Sequence, residues 1–525
     1  MTQRSTFPLL LVAGLLVLFM ASPLRATDDY RARFHAIQKD RAGSGLGGCI
    51  SCHDGRDFAG KSYPDIPQWM GEGNGGRHHQ AYKTLSEEPN VAWSRAIAAR
   101  LHAWDGAGSE PTLRADCLSC HSFDYNLTHD VDEGDPEAVA EARERQAAMG
   151  KDGVGCEACH GRAGGSSGND AWIRDHVPSD WKSREASRWL EVGMWDSRNL
   201  SRWADRCNEC HVGDQDHVMD HTLLGAGHPD ISSFELVSYL EFVPRHWEKT
   251  SLPNHAKDGE WAPVRLWAVG QVATLRDNVR RIADWASSAT EGIQAEFSFY
   301  ECASCHQVLE PEVASKWKAA RQRMARPGEP VWNASSWAMV RPLLRKLEPA
   351  SFAAWENDVT TLLDSVSLRS PRPGSLRTAA RSLERRAGEL LERIAPDKID
   401  KKFELANRGA VLSLLRSIAE DVDLHLSIGP RAAEQAYKAM VVLYAGAVPQ
   451  KERPANDSSI TAALDELGMV LLQPISPASK GTSPTKGVLM GGNREPWQLD
   501  QARFDGTRYA EGMRKLARLL GEAGG

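Results

Sequence analysis

The chain has 525 residues, 63 Lys and Arg against 70 Asp and Glu, a formal net charge of -7, and 41% hydrophobic residues. That balance excludes a polytopic membrane protein and an intrinsically disordered chain, and it gives no basic footprint for nucleic acid. At roughly 150 residues per domain the length allows two to four domains.

The N-terminus places Arg4 before an apolar run from Phe7 to Ala21, then a small residue, Ala26, before Thr27-Asp28-Asp29. This is the layout of a secretory signal peptide, here residues 1–26, and the run is short for a membrane-spanning helix. The competing reading is an uncleaved N-terminal anchor. Cleavage after Ala26 would remove Arg4 and Arg25 and take the charge from -7 to -9. The mature chain is expected to be periplasmic or otherwise exported, with no integral membrane segment.

All ten cysteines fall into one pattern. In chain order the copies are Cys49-Ile-Ser-Cys52-His53, Cys117-Leu-Ser-Cys120-His121, Cys156-Glu-Ala-Cys159-His160, Cys207-Asn-Glu-Cys210-His211 and Cys302-Ala-Ser-Cys305-His306. At this composition chance supplies on the order of 0.01 copies of C-x-x-C-H. Two thiols three residues apart can each form a thioether to one haem edge, and the following His then lies under the iron as its proximal ligand. A disulfide framework has no need of a histidine after every pair. Zinc ribbons share one site between two pairs, and a thioredoxin-like redox motif occurs once. The expected cofactors are therefore five c-type haems, with His53, His121, His160, His211 and His306 as proximal ligands.

Second axial ligands come from the remaining twelve histidines, eleven of which precede residue 260. The distal candidates are His78, His176, His228, His102, His129 and His221. Methionine ligation, through Met70, Met149, Met194 or Met219, is the less favoured alternative. His425 lies on the apolar stripe Val411, Leu414, Ile418 and Val422, which marks it as a core or helix-end histidine.

Glycine clusters at 43–48, 71–76 and 161–168 break the motif region into loops and short helices. Val264, Trp267, Val272, Leu275, Val279, Ile282 and Ala286 share one helical face over 263–286. No convincing strand pattern occurs in this region. From about residue 311 cysteine disappears and a 3.6-residue period takes over. The stripes run over 352–366, over 376–394 between Pro371-Arg-Pro-Gly374 and Pro396, over 411–422 and over 433–444. Residues 474–496 read as a loop, and a last helix is expected from about Gln498 to Glu522. The expected fold is mainly α: a loop-rich multihaem domain with stacked haems over 27–310, followed by a C-terminal helical bundle over 311–525.

Gly153-Val-Gly-Cys-Glu-Ala-Cys-His-Gly161 resembles the signature of the cytochrome c-554 family of exported multihaem electron carriers. Trp69 followed by Arg77-His78-His79-Gln80-Ala81-Tyr82 is similar to a family segment whose histidine is a distal ligand, with His78 in register and His79 as the fallback. His176 looks like the family's next distal histidine. Gly225-Ala-Gly-His228-Pro-Asp resembles a segment of larger relatives in which the histidine is an axial ligand. The resemblance spans roughly 45–340 and implies an α-helical, loop-rich fold with closely stacked haems. The fifth motif and the helical extension depart from the four-haem type member. In that member the haem at the second motif is five-coordinate, which corresponds to His121 here, with His102 and His129 flanking it as residues that could close the site.

The function expected is electron transfer between redox partner proteins, with no catalytic residue assigned. The alternative is a multihaem oxidoreductase acting on a small nitrogen or sulfur compound at a five-coordinate haem. All five motifs end in His, and the Lys-ligated motif of nitrite-reducing pentahaem enzymes is absent. A third reading treats the helical region as a docking module for a membrane or redox complex.

Overall fold

A computed structural model describes residues 24–39, 76–87, 89–122, 152–163, 180–231, 234–240, 257–288, 296–306, 330–366, 372–474, 483–485, 497–499 and 504–524, with isolated positions between them such as Cys49, His53, Trp69 and Trp172. The expectations for residues 1–23, Cys52, His129 and His176 lie outside the described residues. Those that are described are mainly helical. The strands form two antiparallel pairs, Asp57–Phe58 with Lys61–Ser62 and Leu472–Pro474 with Trp497–Leu499.

In the motif region the helices that position the site are α1 (Leu24–Lys39), α2 (Val91–Asp105), α3 (Ala115–His121), α4 (Cys156–His160), α5 (Leu200–His211) and α6 (His221–Ala226). Their ends follow from local chemistry. The Asn199 side chain accepts from the backbone N–H groups of Ser201 and Arg202 at the start of α5, and Asp220 accepts from Leu223 N–H at the start of α6. Gly227 then closes α6 with a φ of 114° in the left-handed region.

The long helix α7 (Ala262–Ser288) fulfils the apolar stripe read over 263–286 and runs one turn beyond the expectation in all. It is buried on almost every face, and at about 1.5 Å per residue it extends roughly 40 Å. Gly270 is required at its crossing with the segment after α6, because a Cβ there would stand 2.8 Å from Leu236 Cβ.

After α7 come α8 (Ser335–Leu347), α9 (Phe352–Ser365), α10 (Pro373–Ile394), α11 (Arg408–Glu420), α12 (Val422–Ile428), α13 (Pro430–Val441), α14 (Asp457–Leu471) and α15 (Gly506–Gly524), with α8 and α10 packed on α7. The most extensive pairing is α7 against α10. One apolar cluster runs from Leu200 through Trp267 and Leu383 to Ala523, so residues on both sides of position 310 share a core. Asp258 and Arg265 tie this junction together. Arg265 pairs with Asp258 at 2.6 Å and donates to the carbonyls of Ile394 and Lys401, while Asp258 accepts from Phe403 N–H at 2.7 Å.

The last helix begins later than Gln498. Residues 497–499 pair with Leu472–Pro474, and Asp505 accepts from Thr507 N–H and Arg508 N–H as the cap that opens α15. His425 is fully buried with Nδ1 2.9 Å from the Tyr509 hydroxyl, as its place on the stripe predicts.

Candidate functional site

Residues three and four apart lie on one face of a helical turn, so C-x-x-C-H in a helix presents both thiols and the imidazole together. The second motif forms the end of α3, the third forms α4, and the fourth ends α5. The fifth is a 3-10 turn, Cys302–Ser304, closed by His306 N–H donating to Cys302 O at 2.8 Å. The nine described cysteines form no disulfide.

The motifs meet through their sulfurs. The thiol of Cys49 lies beside that of Cys156, and the thiol of Cys120 beside that of Cys210. The carbonyl of Ala158, inside the third motif, accepts from Arg206 Nε beside the fourth at 2.5 Å. The motifs therefore follow one another in the spatial order first, third, fourth, second. The Cys120 thiol is drawn down to about 7, first by the Cys210 thiol beside it, which is itself held well above its usual range. Burial pushes the Cys117 thiol up to about 12.

Three motif histidines face a second histidine. The ring centres of His211 and His78 are 6.1 Å apart, those of His121 and His228 6.4 Å, and those of His306 and His221 6.4 Å. Metal–imidazole bonds of about 2.0–2.1 Å, with each nitrogen about 1.1 Å from its ring centre, put two rings on opposite sides of one metal about 6 Å apart. The spacing fits an axially ligated iron in all three pairs.

In the second pair the other ring nitrogens are held by oxygen atoms. His121 Nδ1 lies 3.0 Å from Ala81 O and 2.9 Å from Thr84 Oγ1, and His228 Nδ1 lies 2.8 Å from Pro229 O. An Nδ1–H donated to a carbonyl fixes the tautomer that leaves Nε2 with a lone pair for a metal. Burial lowers the pKa values of His78, His121 and His228, and takes His211 down to about 3, so these rings stay neutral as metal ligation demands.

The loop carrying His78 is clamped from two sides. Trp69 stacks on the His78 ring, with centres 5.7 Å apart and planes 14° from parallel. Val154 N–H donates to His78 O at 2.8 Å, and Gly153, at φ 62°, approaches so closely that a Cβ would lie 2.4 Å from the carbonyl oxygens of His78 and His79. The glycine before the third motif thus positions the histidine that faces the fourth.

Of the six distal candidates, His78, His228 and His221 stand opposite motif histidines. The site the family resemblance leaves open, at His121, is faced by His228; of the two flanking candidates, His102 is exposed on α2 and His129 lies outside the described residues. His79 Nδ1 lies 3.3 Å from Asp152 O, and His217 Nδ1 2.8 Å from Asp214 Oδ1. His160 meets Trp172 with ring centres 6.4 Å apart. Among the described residues, no three of His, Cys, Asp and Glu converge on a point where a metal ion could be held, which is the arrangement a zinc ribbon needs.

Sequence reasoning missed the two residues inside the fourth motif. Glu209 is buried and paired with Arg31 and Arg206, which hold its carboxyl far below the usual range against the opposing effect of burial. Asn208 Nδ2 donates to Asp277 Oδ2 at 2.7 Å, joining the motif to α7. Asp277 is in turn paired with Arg276, which also holds Asp205. A charged residue between the cysteines was a visible signal, and Arg206 lies one turn away, but its other partner, Arg31, is distant in sequence.

No protein-family model, curated protein or solved structure matches the chain. The likeness to the cytochrome c-554 family therefore stands on the motif residues alone.

Proposed function

We propose that the chain is an exported c-type cytochrome, an extended relative of the cytochrome c-554 family, that passes electrons between redox partner proteins through five haems. The observation that carries this reading is the set of three imidazole pairs, each joining a C-x-x-C-H histidine to a second histidine at the separation of two axial ligands. Thioethers from Cys49, Cys52, Cys117, Cys120, Cys156, Cys159, Cys207, Cys210, Cys302 and Cys305 would hold the haems. His53, His121, His160, His211 and His306 would be proximal ligands, with His228, His78 and His221 distal at the second, fourth and fifth motifs. Bound haem supplies reversible one-electron exchange at its iron.

The chain's own part is to hold that iron between neutral, oriented imidazoles and keep water from it. Carbonyls at Ala81 and Pro229 orient His121 and His228, and Trp69 with Gly153 fixes His78. Contact between the first and third, third and fourth, and fourth and second motifs supports a route through these four whose order differs from the order in sequence. Among the described residues no helix is long and apolar enough to cross a membrane. The negative net charge favours partners with a positive docking face.

The oxidoreductase alternative needs an iron with a vacant axial position, and His228 opposite His121 disfavours the second motif as its place. Low-temperature electron paramagnetic resonance of the oxidised protein tests the reading. Low-spin signals from the irons at the second, fourth and fifth motifs are expected. High-spin iron there, accompanied by turnover of hydroxylamine, nitrite or tetrathionate, would favour the enzyme, and a colourless protein without attached tetrapyrrole would end both readings.

A further inference from the structure

Where the fourth and fifth motifs approach α7 and α13, the fold encloses a cavity of about 50 Å³ lined by His211, Asn278, Arg281, Ser298, Ser336 and Arg431, among others. One water needs only about 10–15 Å³ of such space, whereas an entire tetrapyrrole needs far more, so the volume suits a carboxylate-sized group. Its walls are unusual in charge. Arg431 is nearly fully buried and is paired with Asp230, and its Nη2 lies 3.0 Å from Cys302 Sγ.

Arg281 donates to Met219 O at 2.6 Å, and among the described residues no carboxylate lies within ion-pair distance of its guanidinium. Glu296, Asp214 and Asp220 are near enough to raise its pKa but do not offset burial, which lowers it. Three further buried polar atoms at the cavity, Ser298 Oγ, Ser336 Oγ and Arg431 Nε, have no hydrogen-bond partner. A half-buried cation with no carboxylate at ion-pair distance among the described residues, and several buried polar atoms without partners, all line one cavity and together suit an anion with acceptor oxygens.

We propose that this cavity is a carboxylate site in which Arg281 is the counter-ion of a haem propionate from the fourth or fifth motif, so that residues of the C-terminal helices complete a haem site. The inference rests on the haem reading above. The alternative source of the same chemistry is a small free anion entering the cavity.

The test uses the full-length protein as isolated with its haems. Haem content is first measured by mass, and the five reduction equilibria are then resolved by redox titration followed optically and by electron paramagnetic resonance. Removing a positive charge beside a propionate favours the oxidised haem. R281Q is therefore expected to shift one equilibrium roughly tenfold toward the oxidised form, about 59 mV for one electron, while R281K keeps the wild-type value. N278D, which adds a negative charge to the same cavity and leaves Arg281 in place, is expected to shift it in the same direction, so the proposal does not hang on R281Q folding.

Five attached haems with all equilibria unmoved in both R281Q and N278D would overturn the propionate assignment and leave the haem reading standing. Calorimetric binding of acetate or nitrite to the wild type, abolished in R281Q, with unmoved equilibria, would assign the cavity to a free anion instead. A protein without haem would overturn the functional reading itself, and this site with it.

Discussion

From residue 330 to residue 524 almost every helix contributes a continuous apolar face to one large cluster, with Leu344, Leu383, Leu414, Tyr437 and Leu464 fully buried within it. The region that carries the first three motifs is built differently. Its buried apolar residues outside that cluster fall into small groups, such as Tyr82, Leu85 and Leu118, or Tyr30, Phe34, Leu190 and Trp195. Between these groups lie thiols, imidazoles and Arg–carboxylate networks. Among the described residues these groups are small, and ordering each residue of the chain costs conformational entropy that burial must offset. The helical region is held by its own side chains, whereas the motif region is proposed to use porphyrin as its missing apolar core.

The largest expected effect tests that contrast directly. When the chain is produced without haem attachment, limited proteolysis followed by mass spectrometry is expected to digest the residues before about 199 and leave resistant fragments containing α5, α7 and the helices after it. Uniform resistance along the chain without haem would break the comparison.

A second prediction concerns the junction between the two regions. The Asp258 side chain is fully buried and holds Arg265 and Phe403 N–H. Replacing it with Ala leaves a buried guanidinium without its carboxylate, and a loss of about 3–5 kcal/mol is expected in denaturant unfolding. The loss should appear in the transition of α7 and the C-terminal helices. A change under 1 kcal/mol would mean that the junction is held by apolar packing alone.

The same contrast explains which parts of the molecule were legible in the sequence. The stripes at 263–286, 352–366 and 376–394 became α7, α9 and α10 because a helix that buries one face writes a 3.6-residue period. His425 was read correctly from its stripe for the same reason. The start of α15 differs from the sequence expectation because Trp497–Leu499 takes its conformation from a strand partner at Leu472–Pro474, and the local signal for the helix is the cap at Asp505. In the motif region the cysteines announced themselves, but which histidine faces which could not be read. His78 and His211, or His121 and His228, are joined by long-range folding and carry no spacing rule.

A third prediction uses His425. Burial takes its pKa down to about 4 from an ordinary value near 6.5. The unfolded chain therefore binds a proton that the folded chain refuses as pH falls between about 6.5 and 4. Stability from this group is fully present above about 6.5 and is lost progressively down to about 4, amounting to about 3 kcal/mol. Thermal unfolding of the wild type and of His425→Gln at pH 7 and pH 4 measures it. The variant should lose less stability than the wild type across that interval, and parallel losses would show that His425 is not the group responsible.

The smallest effect sharpens the comparison by holding the chemistry constant and changing its surroundings. Arg385 and Glu389 form a 2.8 Å pair one turn apart on α10, with both side chains well exposed to water. Arg206 and Glu209 form the corresponding pair on α5, but there the carboxylate is buried and shared with Arg31 and His35. Solvent screening and side-chain entropy leave an exposed pair about 0.3–0.5 kcal/mol, so Arg385→Ala is expected to leave the unfolding midpoint almost unchanged. Arg206→Ala removes one of the charges that keep Glu209 ionised inside the protein, and the expected cost is several times larger because the remaining charge cannot reach water. Equal effects of the two substitutions, measured in the haem-bearing protein, would mean that water reaches Glu209 and that the motif region is not sealed as its ion pairs imply.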